Sequence, residues 1–254
     1  MQLKHKIYSI LSVFCLACIL TLVSVWAVTE TKFKVSGNIE YTASQSAFEY
    51  DETNGYYYVE MGTYGESNEP VRWRLVGING QHFDGTTTPT AGAGRGTFIL
   101  ATLIDTVVAY DNEGKSSDYG TSDARAYLNG DYITDLNLAN DELYAKITAR
   151  EISDLYSDIS FDGEIIDVPS GVTGSDKLWL PSLVELAYIE GVSYEEIELG
   201  ELDFENWHAG TYWLRTMYDN WYPAALVIED SGDYWYGDWC LSEYMLSPAF
   251  YLDF

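Results

Sequence analysis

Residues 211–254 read TYWLRTMYDNWYPAALVIEDSGDYWYGDWCLSEYMLSPAFYLDF, and four segments of this tail have strand character. Tyr212-Trp213-Leu214, Ala224 to Ile228, Tyr234 to Trp239 and Leu246 to Leu252 are rich in aromatic and aliphatic side chains, and Asp, Asn, Gly and Pro separate them. Upstream the pattern is helical. Ser122 is placed to cap a short helix carrying Ala124, Tyr127 and Leu128, and Asn140 to cap another carrying Leu143, Tyr144 and Ile147. Lys177 to Leu180 reads as a strand that runs through Pro181 into a helix, where Ser182 and Glu185 stand three apart as a capping box ahead of Leu186, Ala187 and Ile189. Nearer the start, strands return. Lys32 to Ala43 alternates apolar with polar residues, Tyr56 to Val59 adds a short strand, and Val71 to Ile78 places Trp73, Leu75 and Gly77 on one face. Thr97 to Val108 is apolar without alternation, which predicts one strand buried on both faces. Strands, then helices, then strands predict the α+β class, with mixed and mainly antiparallel sheets and a few short helices.

A hydrophobic helix is expected ahead of this domain. Lys4 and Lys6 are followed by no charged side chain until Glu30, so Ile7 to Val28 is an uncharged run of 22 residues. About 20 apolar residues cross a bilayer, whereas a cleavable signal core needs about 7 to 15. The run therefore suits a retained anchor, and small residues at Val25 and Ala27 also suit cleavage after Ala27. Either outcome sends the remainder out of the cytoplasm, secreted or anchored, with membrane contact confined to residues 7–28. The expected plan is a signal or anchor at 1–28, a strand-rich stalk or amino-terminal β segment at 29–69, and the α+β domain at 70–254.

All 40 acidic residues lie after position 29, with 11 of the 13 basic ones, so the exported part carries a net charge of −29. Such a field repels phosphate backbones and anionic head groups, which disfavours nucleic acid as a partner. Cys15 and Cys18 fall in the apolar run and leave Cys240 alone beyond it. The exported part has no internal disulfide, so its stability comes from packing.

The order of several blocks resembles a bacterial extracytoplasmic family of unknown function. They are Trp73 in a strand, Arg125-Ala126-Tyr127-Leu128-Asn129, Leu178-Trp179-Leu180-Pro181-Ser182-Leu183-Val184-Glu185, Tyr212-Trp213-Leu214-Arg215-Thr216 and Ser247-Pro248-Ala249. The family carries R-x-W-L-N, F-L-L-S-x-x-E, W-W-L-R-S and R-P-A blocks in that order, and the resemblance spans roughly residues 70 to 254. It implies no known activity. More distantly the block order is similar to C-type-lectin-like and sulfatase-modifying-factor folds, which implies a compact lectin-like variant of the α+β class. Ser247 stands where the family prefers arginine. The formylglycine-generating enzymes depend on a cysteine pair, and this part of the chain holds one cysteine, so that activity is not expected.

Arg215, set among strand-forming aromatics in a chain with few cations, needs a carboxylate or an aromatic face. An ion pair that locks the fold is the expected partner, a ligand the alternative, and Arg125 poses the same question. Trp207, Trp221, Tyr222, Tyr234, Trp235, Tyr236 and Trp239 crowd the last quarter amid Asp, Asn and Gly. Alternation sends Trp235 to one face and the tyrosines to the other. Rings exposed beside carboxylates stack on sugars or on protein partners. The candidate ligand-binding set is thus Arg215, Trp213, Trp221, Trp235, Tyr236 and Trp239, with core packing as the competing reading. Ser182 lacks a nucleophile-elbow motif, and capping explains it. His82 and His208 stand alone, without zinc spacing. Gly92, Gly94 and Gly96 precede a strand and not a helix, so they read as a loop and not a phosphate cradle. Asp111, Glu113, Asp118 and Asp123, or Glu229, Asp230 and Asp233, offer hard oxygen ligands, yet neither set follows a calcium-loop pattern. No cofactor is expected, calcium being the alternative. The expected function is a non-catalytic secreted or cell-surface module that binds an envelope glycan or a surface protein. A hydrolase using a carboxylate pair and a structural surface protein are the rivals.

Overall fold

The chain divides at residues 40 and 41. The computed structural model describes residues 48–254 except 86–87, 90–93, 103, 152–159, 162–163, 166–172, 190–209, 220–222 and 229–234. The apolar run 7–28 and the strand, turn and strand expected over 32–43 lie outside the described residues. Among the described residues, no helix is long and apolar enough to cross a membrane.

The class is α+β, mostly antiparallel sheet with a few short helices. Before the helices come β1 (Glu49–Asp51), β2 (Tyr56–Tyr64), β3 (Glu69–Ile78), β4 (Gln81–His82), β5 (Arg95–Leu100) and β6 (Val107–Ala109). The helical segment holds α1 (Asp123–Leu128), α2 (Asp131–Asp135) and α3 (Glu142–Lys146). Then follow β7 (Ile147–Thr148), β8 (Arg150–Glu151), β9 (Ser160–Phe161), β10 (Glu164–Ile165), β11 (Ser175–Asp176) and α4 (Leu183–Ile189). The tail supplies β12 (Tyr212–Asp219), β13 (Ala224–Ile228), β14 (Trp235–Trp239), β15 (Glu243–Leu246) and β16 (Ala249–Asp253). The larger sheet runs β1-β2-β3-β5-β16-β7, with β4 on β3, and the smaller runs β14-β13-β12-β15-β6. Only the β12–β15 pair of the smaller sheet is parallel. β8 pairs with β11, and β9 with β10. From Phe48 onward, the segment before residue 70 belongs to the same sheet and core as the residues after it.

Alternation along β3 turns Val71, Trp73 and Leu75 to one face, where Phe98, Leu100, Phe250 and Leu252 meet them. Trp73 meets Phe250 edge-on at 5.1 Å, its indole N–H donates to the Met61 carbonyl at 2.9 Å, and Phe98 stacks on Phe250. The helical segment covers this face through Ala124, Leu128, Tyr132, Leu136 and Leu138. On the reverse face, Val76 and Ile99 pack with Leu183, Leu186 and Ala187 of α4 and with Tyr212, Leu214 and Ile228. The central strands are covered on both faces, which explains the unbroken apolar run Phe98-Ile99-Leu100.

Six expectations are corrected. Lys177 to Leu180 is not a ladder strand, since β11 ends at Asp176 and Trp179 makes a single bridge to Ala249, and Ile147 leaves α3 to begin β7. Thr97 to Val108 is two strands in different sheets, β5 and β6, because the chain turns away after Leu100, whose N–H donates to the Pro248 carbonyl at 2.9 Å. Leu246 to Leu252 likewise breaks into β15 and β16 at Ser247 and Pro248, since proline has no N–H to continue a ladder. The cap of α3 is Asp141 and not Asn140. One Asp141 oxygen accepts the Leu143 N–H at 2.8 Å and the other the Gly62 N–H at 2.9 Å. Gly62 has φ +81° where β2 bulges against Leu138, and a Cβ there would stand 2.5 Å from that side chain. Finally, a register shift between Leu75 and Gly77 turns Gly77 away from the Trp73 face, to the side of its partner Thr97. Ser122 caps α1 as expected, its hydroxyl accepting the Arg125 N–H at 3.1 Å.

Replacing the fully buried Trp73 removes both its ring contacts and its hydrogen bond. Trp73→Ala is expected to lower the unfolding free energy by about 3 to 5 kcal/mol, read as a shift of the urea midpoint at unchanged slope.

Candidate functional site

The block Leu178 to Glu185 carries the site's framework. Leu178, Trp179 and Leu180 are all buried, forming a strap within the larger core. Trp179 exchanges backbone hydrogen bonds with Ala249, at 3.1 and 2.8 Å. The Leu180 N–H donates to the Tyr119 hydroxyl at 3.1 Å, and the Arg215 N–H to the Pro181 carbonyl at 3.0 Å. Pro181 ends the strap, and the capping box then opens α4. Ser182 Oγ accepts the Glu185 N–H, and Glu185 Oε2 accepts the Ser182 N–H, both at 3.1 Å. Ser182 has no exposed surface, so capping is its whole role at this turn.

The same Glu185 carboxylate bridges two guanidinium groups. Its Oε1 accepts from Arg150 Nη1 at 2.5 Å, and its Oε2 accepts from Arg215 Nη1, which also donates to the Leu180 carbonyl at 2.8 Å. Arg215 is 0% exposed and Glu185 retains 19% side-chain exposure. Burial pushes the Glu185 carboxyl up, but the charge and hydrogen bond of Arg215, followed by those of Arg150, outweigh it and hold the group at about 2. Arg150 also lies over the rings of Trp179 and Tyr251, at 5.3 and 5.6 Å from their centroids.

Beside this network a cavity of about 270 Å³ opens between α4 and the larger sheet. Its lining includes the small residues Gly77, Thr97 and Ala249 and the apolar Val76, Pro181 and Val184. Gly80, Arg150, Glu185, Trp179 and Tyr251 complete the lining. Gly77 joins the lining where the register of β3 shifts against β5.

The sequence-derived candidates separate. Arg215 and Trp213 are fully buried and present no surface to a ligand. Trp213 packs against Tyr110 and Tyr244, and its indole N–H donates to the Val108 carbonyl at 2.9 Å. Trp239 is 55% exposed at the end of β14, with Leu241 exposed close by. Trp235 and Tyr236 contribute backbone to β14, but their side chains, like all of Trp221, lie outside the described residues. Arg125 forms a two-pronged pair with Asp176, at 2.6 and 3.0 Å. Asp111 accepts the N–H groups of Glu113, Lys115 and Ser116, Asp118 that of Gly120, and Asp123 that of Asn112, so these carboxylates organise their own loops. Among the described residues, no three His, Cys, Asp or Glu side chains converge as a metal-binding group. Glu229, Asp230, Asp233 and His208 lie outside them.

Sequence reasoning does not mark Arg150, Trp179, Val184 or Tyr251 as site residues. The scarcity of cations that marks Arg215 applies equally to Arg150, and was the available signal. A family model described as a domain of unknown function (DUF6273) matches residues 95–254. No curated protein and no solved structure matches the chain. The matched span includes the strap, the three charged residues of the network and most of the cavity lining, and it begins after β4.

Glu185→Gln is expected to cost roughly 3 to 5 kcal/mol by removing the charged carboxylate that Arg150 and Arg215 share. Because the folded carboxyl is depressed from 4.5 to about 2, its contribution is present above about pH 4.5 and is lost as pH falls towards 2. Unfolding free energies measured across pH 2 to 7 should therefore show the wild-type advantage over Glu185→Gln shrinking through that window.

Proposed function

The chain belongs to the DUF6273 family, whose description assigns no activity, and we propose from its geometry that it is a non-catalytic, extracytoplasmic module that binds a protein partner through the cavity. The observation that carries this reading is the cavity itself, mostly apolar and bordered by Glu185, whose single carboxylate is shared between Arg150 and Arg215. Concave apolar sites with a few fixed polar groups are the usual seats of ligands. Export rests on the uncharged run at 7–28 and on the placement of every acidic residue beyond it. The bacterial origin and the lectin-like relation implied by the resemblance belong to this proposal.

A carboxylate-pair hydrolase needs one acid and one base. The cavity lining offers a single carboxylate, Glu185, and two guanidiniums keep it ionised far below neutral pH, so it is unsuited to donate a proton there. Glycan stacking needs an open ring face. Trp179 is 1% exposed, and Arg150 covers one face of its ring. Trp239 is the observation that favours a second reading, contact with an envelope glycan at the edge of the smaller sheet.

The two readings separate experimentally. Immobilised exported protein exposed to envelope extracts is expected to retain one protein in stoichiometric amount, to lose it in Val184→Trp, which fills the cavity, and to keep it in Trp239→Ala. A glycan-array signal abolished by Trp239→Ala would establish the second reading in its place. Cleavage of envelope polymers by the purified protein would overturn both.

A further inference from the structure

We propose that the turn Trp239 to Ser242 is a docking surface for a protein partner that presents arginine or lysine beside apolar side chains. The surface goes beyond the cavity reading, since none of its residues lines the cavity. Four large apolar side chains are exposed among the described residues, Tyr50, Val107, Trp239 and Leu241, and two of them share this one turn. Single exposed hydrophobes are ordinary, whereas neighbouring ones mark contact sites. The turn is also held firmly. The Ser242 N–H donates to the Trp239 carbonyl at 2.8 Å, the Cys240 N–H to the Pro223 carbonyl at 3.0 Å, and the Asp111 N–H to the Cys240 carbonyl at 3.0 Å. Cys240 is fully buried and anchors the turn, while Trp239 and Leu241 on either side of it stay 55% and 42% exposed. Apolar groups already fixed before contact lose little freedom on binding.

Charge identifies the partner. Asp238 and Glu243 flank the turn along the chain, and Asp111 and Glu113 belong to the loop beside it, where a Cβ on Gly114 would lie 2.6 Å from Leu241 Cγ. Lys115 is the one cation of that loop, and it pairs with Glu113 at 2.6 Å. Segments 111–116 and 238–243 thus hold four carboxylates against one ammonium. Asp238 accepts the Trp239 N–H at 2.7 Å and the Tyr244 hydroxyl at 2.5 Å, which orients this carboxylate without cancelling its charge. The whole part beyond residue 29 carries −29. Nucleic acid, anionic polymers and a second copy of this chain are therefore repelled, and a cationic partner is drawn in. Exposed ion pairs add little affinity. The apolar contact of Trp239 and Leu241 holds the partner, and the carboxylates select it. A guanidinium or ammonium against the exposed indole serves both ends. A neutral sugar makes no use of this field.

The test uses the exported protein and synthetic peptides of equal length, one built from arginine and leucine, one from glutamate and leucine, one from arginine and serine, together with an N-acetylglucosamine oligomer. Binding is followed by calorimetry, with the melting temperature recorded for each variant. The arginine–leucine peptide is expected to bind roughly tenfold or more tightly than either other peptide, because only it supplies both charge and apolar surface. Trp239→Ala should weaken it by roughly tenfold at an unchanged melting temperature, and Leu241→Ser should weaken it in the same direction. Glu243→Gln should slow its association, and Val184→Trp should leave its binding unaltered. Binding that persists unchanged in both Trp239→Ala and Leu241→Ser is attraction to the acidic surface at large, and it overturns the proposal. So do equal binding of the glutamate–leucine peptide, binding of the sugar that Trp239→Ala abolishes, and silence of every probe. The cavity reading is judged separately from all of these, because its partner is lost in Val184→Trp and kept in Trp239→Ala.

Discussion

One carboxylate, that of Glu185, is shared by two arginines from different parts of the chain, and the arrangement around the cavity depends on it. Arg215 comes from the central strand of the smaller sheet, Arg150 from a two-residue strand after the helical segment, and Glu185 from the first turn of α4. Each guanidinium would be costly to bury alone, and the shared carboxylate offsets both. The same carboxylate closes the capping box of α4, so helix nucleation and charge burial are one event at one residue. Arg215 further ties the strap to the smaller sheet through the Leu180 and Pro181 carbonyls. Tyr110 and Tyr119 bring their hydroxyls to the Arg215 carbonyl and the Leu180 N–H, linking the layer before α1 to the same point.

The two sheets are joined by a shared device. β5 pairs with β16 in the larger sheet, and the chain continuations of both, β6 and β15, pair again in the smaller sheet. The ribbon thus bends from one sheet into the other where Leu100 meets Pro248. On the inner side of this bend lies the second core, with Val76 and Ile99 facing Leu183, Leu186 and Leu214. The cavity lies on the same side of the larger sheet. It exists because the β3 register shift presents Gly77, beside Thr97 and Ala249, where a larger side chain would fill the gap. The proposed binding site is a consequence of a backbone irregularity placed next to the network of Arg150, Glu185 and Arg215.

Parts of this arrangement were legible without coordinates. Trp73 and Leu75 on one strand face, Ser122 and Ser182 as caps, and the tail segment Ala224 to Ile228 follow from local rules of alternation and capping, which depend on residues within a turn or two. Arg215 called for a carboxylate by the scarcity of cations around it, and it has one. What local rules missed was each place where a distant partner overrides the local pattern. Asp141 displaced Asn140 as a cap because it also reaches Gly62 in β2. The long apolar runs broke where the strands change sheet.

From sequence alone came the α+β class, the acidic character of the part beyond residue 29, the absence of an internal disulfide there, and the caps, because these depend on composition or on neighbours along the chain. Only tertiary structure decided that Trp213 is core and Trp239 surface, though both belong to the same aromatic-rich tail. Only tertiary structure brought Arg150, Glu185 and Arg215 to one point and left a cavity beside them. The physical reason is separation: these three residues span 65 positions of chain, and their meeting is set by how the sheets fold over α4, which no local periodicity encodes.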